Sequence, residues 1–244
     1  LSQGVHVCDA AIMYPVAPLE AGMDGKTALA TAFDTGTEMF LKHGMDFDFM
    51  DFQSLEHAEI RDKRLCVSGE EYKLLILPAM RAVRFSTAQK ALEFYRAGGA
   101  VLCAGALPEA SDRAGAEDPE LDALVRELFG VSAGEAAQGQ APSRQTNAAG
   151  GLGVVVAGDH AAAEAATVAA TLVPRDFVPE GAAQTLHRRI GARDVYMVMD
   201  APENGSCYFQ AHGKAELWDV WTGETRPLLT AAPENDGTRV RLPK

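Results

Sequence analysis

The sequence lacks a basic surface. Its 244 residues carry 22 Lys and Arg against 34 Asp and Glu, a formal charge of −12. Nucleic acid and anionic membrane both draw proteins through excess positive charge, so neither is expected as a partner. No apolar stretch approaches the roughly 18 residues of a membrane-spanning helix. Cysteine is scarce: Cys8, Cys66, Cys103 and Cys207 lie far apart, with no CxxC pair and no Cys/His cluster at zinc-ligand spacing. Neither a disulfide framework nor a metal site is expected, and no cofactor is implied. Three of the four cysteines sit in apolar runs, where a free thiol packs as a small hydrophobe. The chain also lacks an initiator Met, a signal peptide and any internal repeat. Its ends, "LSQGVHVCDAAIMYP" and "VRLPK", read as cuts from a longer chain, which leaves the compartment open.

What is present is ordinary for a soluble globular protein, at 47% hydrophobic and 23% charged. Short apolar runs alternate with amphipathic segments over the first 178 residues. "AAIMYP" (10–15), "FDFMDF" (47–52), "KLLILP" (73–78), "AVLCAG" (100–105) and "LGVVVAG" (152–158) read as strands. The runs that are apolar throughout predict strands covered on both faces. Between them, residues 26–44 place Leu29, Phe33, Thr37, Phe40 and Leu41 on one helical face, with Gly44 as the cap. Ser86 to Tyr95 and 161–172 read as further helices. In "DPELDALVRELFG" (118–130), Asp caps, Pro opens and Gly closes a helix. This rhythm predicts an α/β fold with a doubly wound, mainly parallel sheet over 1–178. Residues 60–72 look like a hairpin excursion and 134–151 like a loop. From 179 to 244 the period changes to two, predicting a small antiparallel β region.

Three places could carry chemistry. In "AGGAVLCAGALP" (97–108), Cys103 ends an apolar run with Gly105 two residues on. Class I glutamine amidotransferases present their nucleophile in this way. A nucleophilic thiolate needs a base, an oxyanion hole and a lifting turn. Here Leu102 stands where a Gly would relieve crowding, and Pro108 follows instead of a helix N-terminus. His160, His187 and His212 are each without the H-x-E pattern of the amidotransferase base. A buried strand thiol is therefore the expected role of Cys103, with a Cys-dependent amidotransferase or hydrolase as the alternative. Asp46, Asp48 and Asp51 are the second place. Period two puts the first two on one strand face and the third on the other. Asp51 falls at a carboxyl strand end, where open α/β sheets keep their sites. It is a sugar-contact candidate, against capping as the plainer role. Trp218 and Trp221, in "ELWDVWTGE", are the third. They could stack on a sugar, but core packing is the expected role.

Four stretches together carry a family resemblance: "LSQGVHVCDAAIMYPV", "DFDFMDFQSLEHAEIRDKRLCVSGEEYKLLILPAM", "KALEFYRAGGAVLCAGALPEAS" and "RRIGARDVYMVMDAPENGSCYFQAHGKAELWDVWTGETRPL". They resemble the segment that follows the catalytic barrel in large bacterial glycoside hydrolases of the α-L-rhamnosidase (family 106) type. That resemblance implies a flavodoxin-like, amidotransferase-like domain followed by the start of a β-sandwich. It is also similar to the trimerisation domain of family 42 β-galactosidases. The acid and base carboxylates of such enzymes lie in the barrel, so no catalytic residue carries over to a position here. The implied role is accessory: bracing an upstream barrel of the same parent chain, with a homo-oligomer or a glycan as further partners. Two departures are a longer, more polar 134–151 and Asp200 in "VMDAP", where the family has an Asn-containing strand end.

Overall fold

In a computed structural model, the structure describes residues 3–140, 143–201 and 203–242. The chain divides into two compact units, Cys8–Pro174 and the pair of segments Leu1–Val7 with Arg175–Lys244.

The larger unit is built on a six-stranded sheet. Its strands are β1 (Ala10–Met13), β2 (Asp48–Met50), β3 (Leu74–Pro78), β4 (Ala100–Ala104), β5 (Ser143–Thr146) and β6 (Leu152–Val156). Their order across the sheet is β5-β6-β4-β3-β1-β2. Every pairing is parallel except that of β5 with β6. "KLLILP" supplies β3 at the centre, where Ile76 pairs with Ile12 on one side and Leu102 on the other.

Five helices flank the strands: α1 (Gly25–His43), α2 (Phe52–His57), α3 (Phe85–Arg96), α4 (Pro119–Phe129) and α5 (Ala161–Leu172). Alternate strand side chains serve two separate cores. Leu75, Leu77, Val101, Cys103 and Val155 pack with Leu92 and Phe94 of α3 and with Val125, Leu128 and Phe129 of α4. Leu74, Ile76, Leu102, Ala104 and Val154 pack with Ala32 and Met39 of α1 and with Ala165, Ala166 and Ala169 of α5. A strand buried on both faces has no position for a polar side chain, hence the unbroken apolar runs.

Helix α4 follows its sequence signals closely. Asp118 accepts hydrogen bonds from the Glu120 and Leu121 N–H groups, Pro119 occupies the first turn, and Gly130 stops the helix at φ +77. Helix α1 does not. Its buried positions are Gly25, Ala28, Ala32, Thr35, Gly36 and Met39, while Phe33 and Leu41 are 49% and 59% exposed. Of the face predicted from Leu29, Phe33, Thr37, Phe40 and Leu41, three residues are exposed and Leu29 and Phe40 are half-buried. α1 lies against the alanine stripe of α5, and the ring of Phe47 sits where a Cβ on Gly36 would come within 2.3 Å of it. Closeness of approach, not side-chain size, sets the phase of this helix.

Residues 134–151 also differ from the expected loop. They include β5, an edge strand paired antiparallel to β6. A polar edge strand with alternately exposed residues has no apolar pattern to detect. The turn between β5 and β6 is held by Asn147, whose Oδ1 accepts from the Ala149 and Gly151 N–H groups. The 60–72 excursion is a three-stranded antiparallel sheet of Glu59–Arg61, Arg64–Val67 and Glu70–Tyr72.

The smaller unit is antiparallel throughout its paired strands. These are β7 (Phe177–Pro179), β8 (Gln184–Ile190), β9 (Arg193–Met199), β10 (Ser206–Phe209), β11 (Glu216–Trp218), β12 (Thr225–Pro227), β13 (Ala231–Glu234) and β14 (Gly237–Arg241). One sheet runs β7-β10-β14-β13, and β11 pairs with β12. The early strand Val5–His6 pairs with Arg188 and Arg189 of β8, a register that no local pattern announces. Phe177, Cys207, Phe209 and Val240 form the core. Asp200 takes a left-handed φ of +53 at the end of β9, a conformation that Asn and Asp adopt more readily than other side chains.

Candidate functional site

Cys103 lies on β4, one residue before its carboxyl end, and is fully buried. Its thiol donates towards the carbonyl oxygens of Ala106, at 3.4 Å, and Gly105, at 3.8 Å. Burial pushes its pKa up to about 12. The Gly105 N–H, which an oxyanion hole would require, donates instead to Val156 O at 2.7 Å. Gly105 itself sits at φ +94, with Ala79 2.9 Å from where a Cβ would lie. A strand-end turn is thus present, but the sulfur points into the core. Native protein at neutral pH should react with iodoacetamide at Cys103 only at the rate of unfolding. Rapid alkylation that is independent of denaturant would reverse this assignment.

The three aspartates separate. Asp51 caps α2, its two carboxylate oxygens accepting from the Ser54 N–H at 2.9 Å and the Ser54 hydroxyl at 2.8 Å. Those hydrogen bonds hold its carboxyl below the usual range. Asp48 accepts from Tyr72 Oη at 3.0 Å and from Cys8 Sγ at 3.2 Å. Burial and the neighbouring Asp48 charge raise the Cys8 thiol well above its ordinary range, so it stays a donor. Asp46 accepts from the Phe47 N–H.

Beyond β4, an open acidic depression of about 360 Å³ includes Glu109, Glu117, Asp118 and Asp122 in its lining. Arg81 pairs with Glu109 and Arg126 with Asp122. Asp118 accepts from Ser111, Arg113 and the first turn of α4. The Ser111 hydroxyl, then Arg113 and the Leu121 N–H, lower its pKa from 3.8 to about 2. A carboxyl with a depressed folded value stabilises the fold above its unfolded value. That contribution should fade as pH falls from about 3.8 to about 2. Urea unfolding of Asp118→Asn should show a lower midpoint than the parent near neutral pH and a shallower loss across that acid window. An unchanged acid slope would remove Asp118 from this role.

A further buried polar cluster lies in the smaller unit, and no sequence motif marks it. His187 on β8 is 2% exposed. Its Nδ1 lies 2.8 Å from Asp176 Oδ2 and its Nε2 lies 3.0 Å from Asp194 Oδ1 on β9. Carboxylates only accept, so only the doubly protonated ring can donate to both. Tyr196 stacks on the imidazole at 4.0 Å and 17° and donates its hydroxyl to Asp176 Oδ1. Burial and the Asp176 charge raise that hydroxyl far above its ordinary value, keeping it a donor. Arg189 Nε supplies a further bond to Asp194. An H-x-E pattern cannot mark His187, because both of its carboxylates come from outside its own strand. The cluster is structural in form: both ring nitrogens are committed to carboxylates of the same unit, and Tyr196 closes one face of the ring.

Trp218 and Trp221 are not core residues. They are 46% and 93% exposed, with Val220 between them at 81%. The hairpin of β11 and β12 is a two-stranded sheet, and its strands are three residues each. An alternation that in a longer strand would mark a buried face here marks only a tip.

By its match to a family model the chain is a glycoside hydrolase family domain. The chain belongs to glycoside hydrolase family 106, alpha-L-rhamnosidase, whose family model matches residues 3–231. Among solved structures it is similar to the rhamnosidase from Novosphingobium sp. PP1Y, with 21% identity, a TM-score of 0.65, and coverage of 98% of this chain and 22% of that one. A catalytic mutant of Gan42B, a GH42 beta-galactosidase from G. stearothermophilus, matches with 16% identity, a TM-score of 0.58, and coverage of 97% and 39%. The beta-galactosidase from Bacillus circulans sp. alkalophilus matches with 13% identity, a TM-score of 0.54, and coverage of 96% and 41%. The chain therefore spans about a fifth of the rhamnosidase's length and about two fifths of the galactosidases'. No curated protein matches it by sequence.

Proposed function

We infer that this chain acts as a non-catalytic accessory segment of a larger α-L-rhamnosidase-type hydrolase, bracing the catalytic barrel of the same parent polypeptide. The observation that carries this reading is its coverage: nearly the whole chain aligns to only 22% of a rhamnosidase. The site geometry agrees with it. Among the described residues, the carboxylates Asp48, Asp51 and Asp118 are engaged by neighbours of their own unit. A glycosidase pair needs its two carboxyl groups free to face a substrate. We take the larger unit to be a doubly wound, flavodoxin-like domain of amidotransferase type, whose nucleophile position, Cys103, has become a packing residue. Homo-oligomerisation through this unit is a further part of the proposal. The alternative, a Cys-dependent amidotransferase or hydrolase, is disfavoured by the carbonyl-lined, buried setting of Cys103.

The test is direct. The purified 244-residue chain should leave aryl α-L-rhamnosides and aryl β-galactosides unhydrolysed, with glutamine likewise untouched. Turnover that co-purifies with the chain and is lost on Cys103→Ala would establish the alternative. Turnover that survives that substitution would refute the accessory reading in favour of a carboxylate site.

A further inference from the structure

We propose that His187 is a proton-operated latch on the β8–β9 hairpin. The doubly protonated ring holds the turn end of the hairpin closed, and loss of the proton on Nε2 releases it. The latch stands apart from the accessory reading, since no substrate or partner enters it.

All of its parts belong to the smaller unit. Nδ1 of the ring lies 2.8 Å from Asp176 Oδ2, just before β7, and Nε2 lies 3.0 Å from Asp194 Oδ1 on β9. The ring is 2% exposed, so these two carboxylates rather than bulk water decide how many protons it holds. Tyr196 stacks on the imidazole from β9 and gives its hydroxyl to Asp176 Oδ1 at 2.9 Å. Arg189 on β8 gives Nε to Asp194 Oδ1 at 3.1 Å. Tyr208 on β10 is close enough to feel the Asp176 charge and donates its hydroxyl to Asp236 Oδ1. β10 also turns the ring of Phe209 towards Tyr196. The strand Val5–His6 leads into Val7, whose N–H donates to the His187 carbonyl at 3.0 Å. His187 and Arg189 thus set two positive charges against the two of Asp176 and Asp194.

The two charge states of the ring call for two different structures. With both nitrogens protonated, each N–H meets a carboxylate that can only accept. With one proton gone, a nitrogen lone pair faces an oxygen lone pair at hydrogen-bond distance, and the two groups must part. The loss falls on Nε2. Asp194 keeps a full cation in Arg189. Among the described residues, the other side-chain donor to Asp176 is the neutral Tyr196 hydroxyl, so the remaining ring proton is worth more on Nδ1.

Asp194 pairs with Arg189 one step from the end of the hairpin, where Ile190 meets Arg193 and Gly191 turns at φ +60. Residues 191–194 are exposed, so little apolar packing opposes their opening. The closed tip holds one proton more than the open one. Raising the pH therefore favours opening.

Nuclear magnetic resonance of the 15N-labelled 244-residue chain tests the latch. The pH is raised from about 6 to about 9, through and beyond the range in which an imidazole ordinarily changes charge. At the acid end both ring nitrogens of His187 should carry protons. As the pH rises, the Nε2 signal alone should move to the position of a bare nitrogen. The amide signals of residues 190–194 should move with it, while those of β10 and β14 stay. In Asp194→Asn the new amide group can donate to a bare Nε2, so the 190–194 signals should no longer move as the ring loses its proton. A ring already singly protonated at the acid end overturns the proposal, as does loss of the proton from Nδ1 instead. Tip signals that follow pH equally in the parent and in Asp194→Asn overturn it too. Should that variant fail to fold, the parent decides alone: ring and tip signals that titrate together support the latch, and signals that titrate separately overturn it.

Discussion

His187→Ala should destabilise the smaller unit by about 3 kcal/mol, the upper end of what it costs to leave buried acceptors without their donor. The ring is 2% exposed and its two nitrogens face Asp176 and Asp194. Truncation leaves two carboxylates on opposite sides of a gap, with Tyr196 losing the surface it stacks on. The loss stays below that of fully buried groups because both aspartate side chains retain about a quarter of their exposure to water, which screens the orphaned carboxylates. Chemical denaturation followed by near-ultraviolet circular dichroism would measure the loss. The companion variant Asp194→Asn in the His187→Ala background should recover part of it, because it removes one of the two stranded charges. Simple additivity of the two substitutions would show that the cluster is not coupled.

The second large effect is expected at Gly153, the second residue of β6. A Cβ there would lie 1.8 Å from the carbonyl oxygen of Leu128, in the last turn of α4. The obstacle is backbone, so no side-chain rotation can relieve it. α4 or β6 must shift, and both are anchored in the same core by Leu128, Phe129 and Val155. Overpacking of this kind costs typically 1–3 kcal/mol, and about 3 kcal/mol is expected for Gly153→Ala since neither element can yield alone. Gly134→Ala is the control. The nearest atom to its added methyl is 4.0 Å away, and its change should stay within about 0.5 kcal/mol. Equal midpoints in urea for the two variants would mean that β6 has freedom which the packing does not suggest.

These two sites also mark where the sequence speaks and where it is silent. Central strands such as "KLLILP" announce themselves because double burial removes every polar residue. Helix α4 announces itself because its cap, its opening Pro and its closing Gly are local. The phase of α1 was hidden because its inner face is chosen for smallness, a property that hydrophobic periodicity does not weigh. Strand β5 was hidden because an edge strand of Ser, Arg, Gln and Thr borrows its register from β6. The His187 cluster could not be read at all, since Asp176 precedes β7 and Asp194 lies on β9, and only the folded sheet brings them to one ring. The tryptophans were visible as residues but not as a surface, because exposure depends on what lies above a hairpin.

The alanine- and glycine-lined contact between α1 and α5 gives the two sides of the central sheet opposite mutational spectra. On the α3 and α4 side, the core is made of Leu, Val and Phe, and a random substitution mostly removes atoms. On the α1 and α5 side, Ala28, Ala32, Ala165, Ala166 and Ala169 have almost nothing to remove, and nearly every substitution adds atoms. One layer fails by emptying and the other by crowding. A saturation library scored for folding should therefore favour large residues at the inward positions of α3 and α4 and forbid them at the buried alanines of α1 and α5.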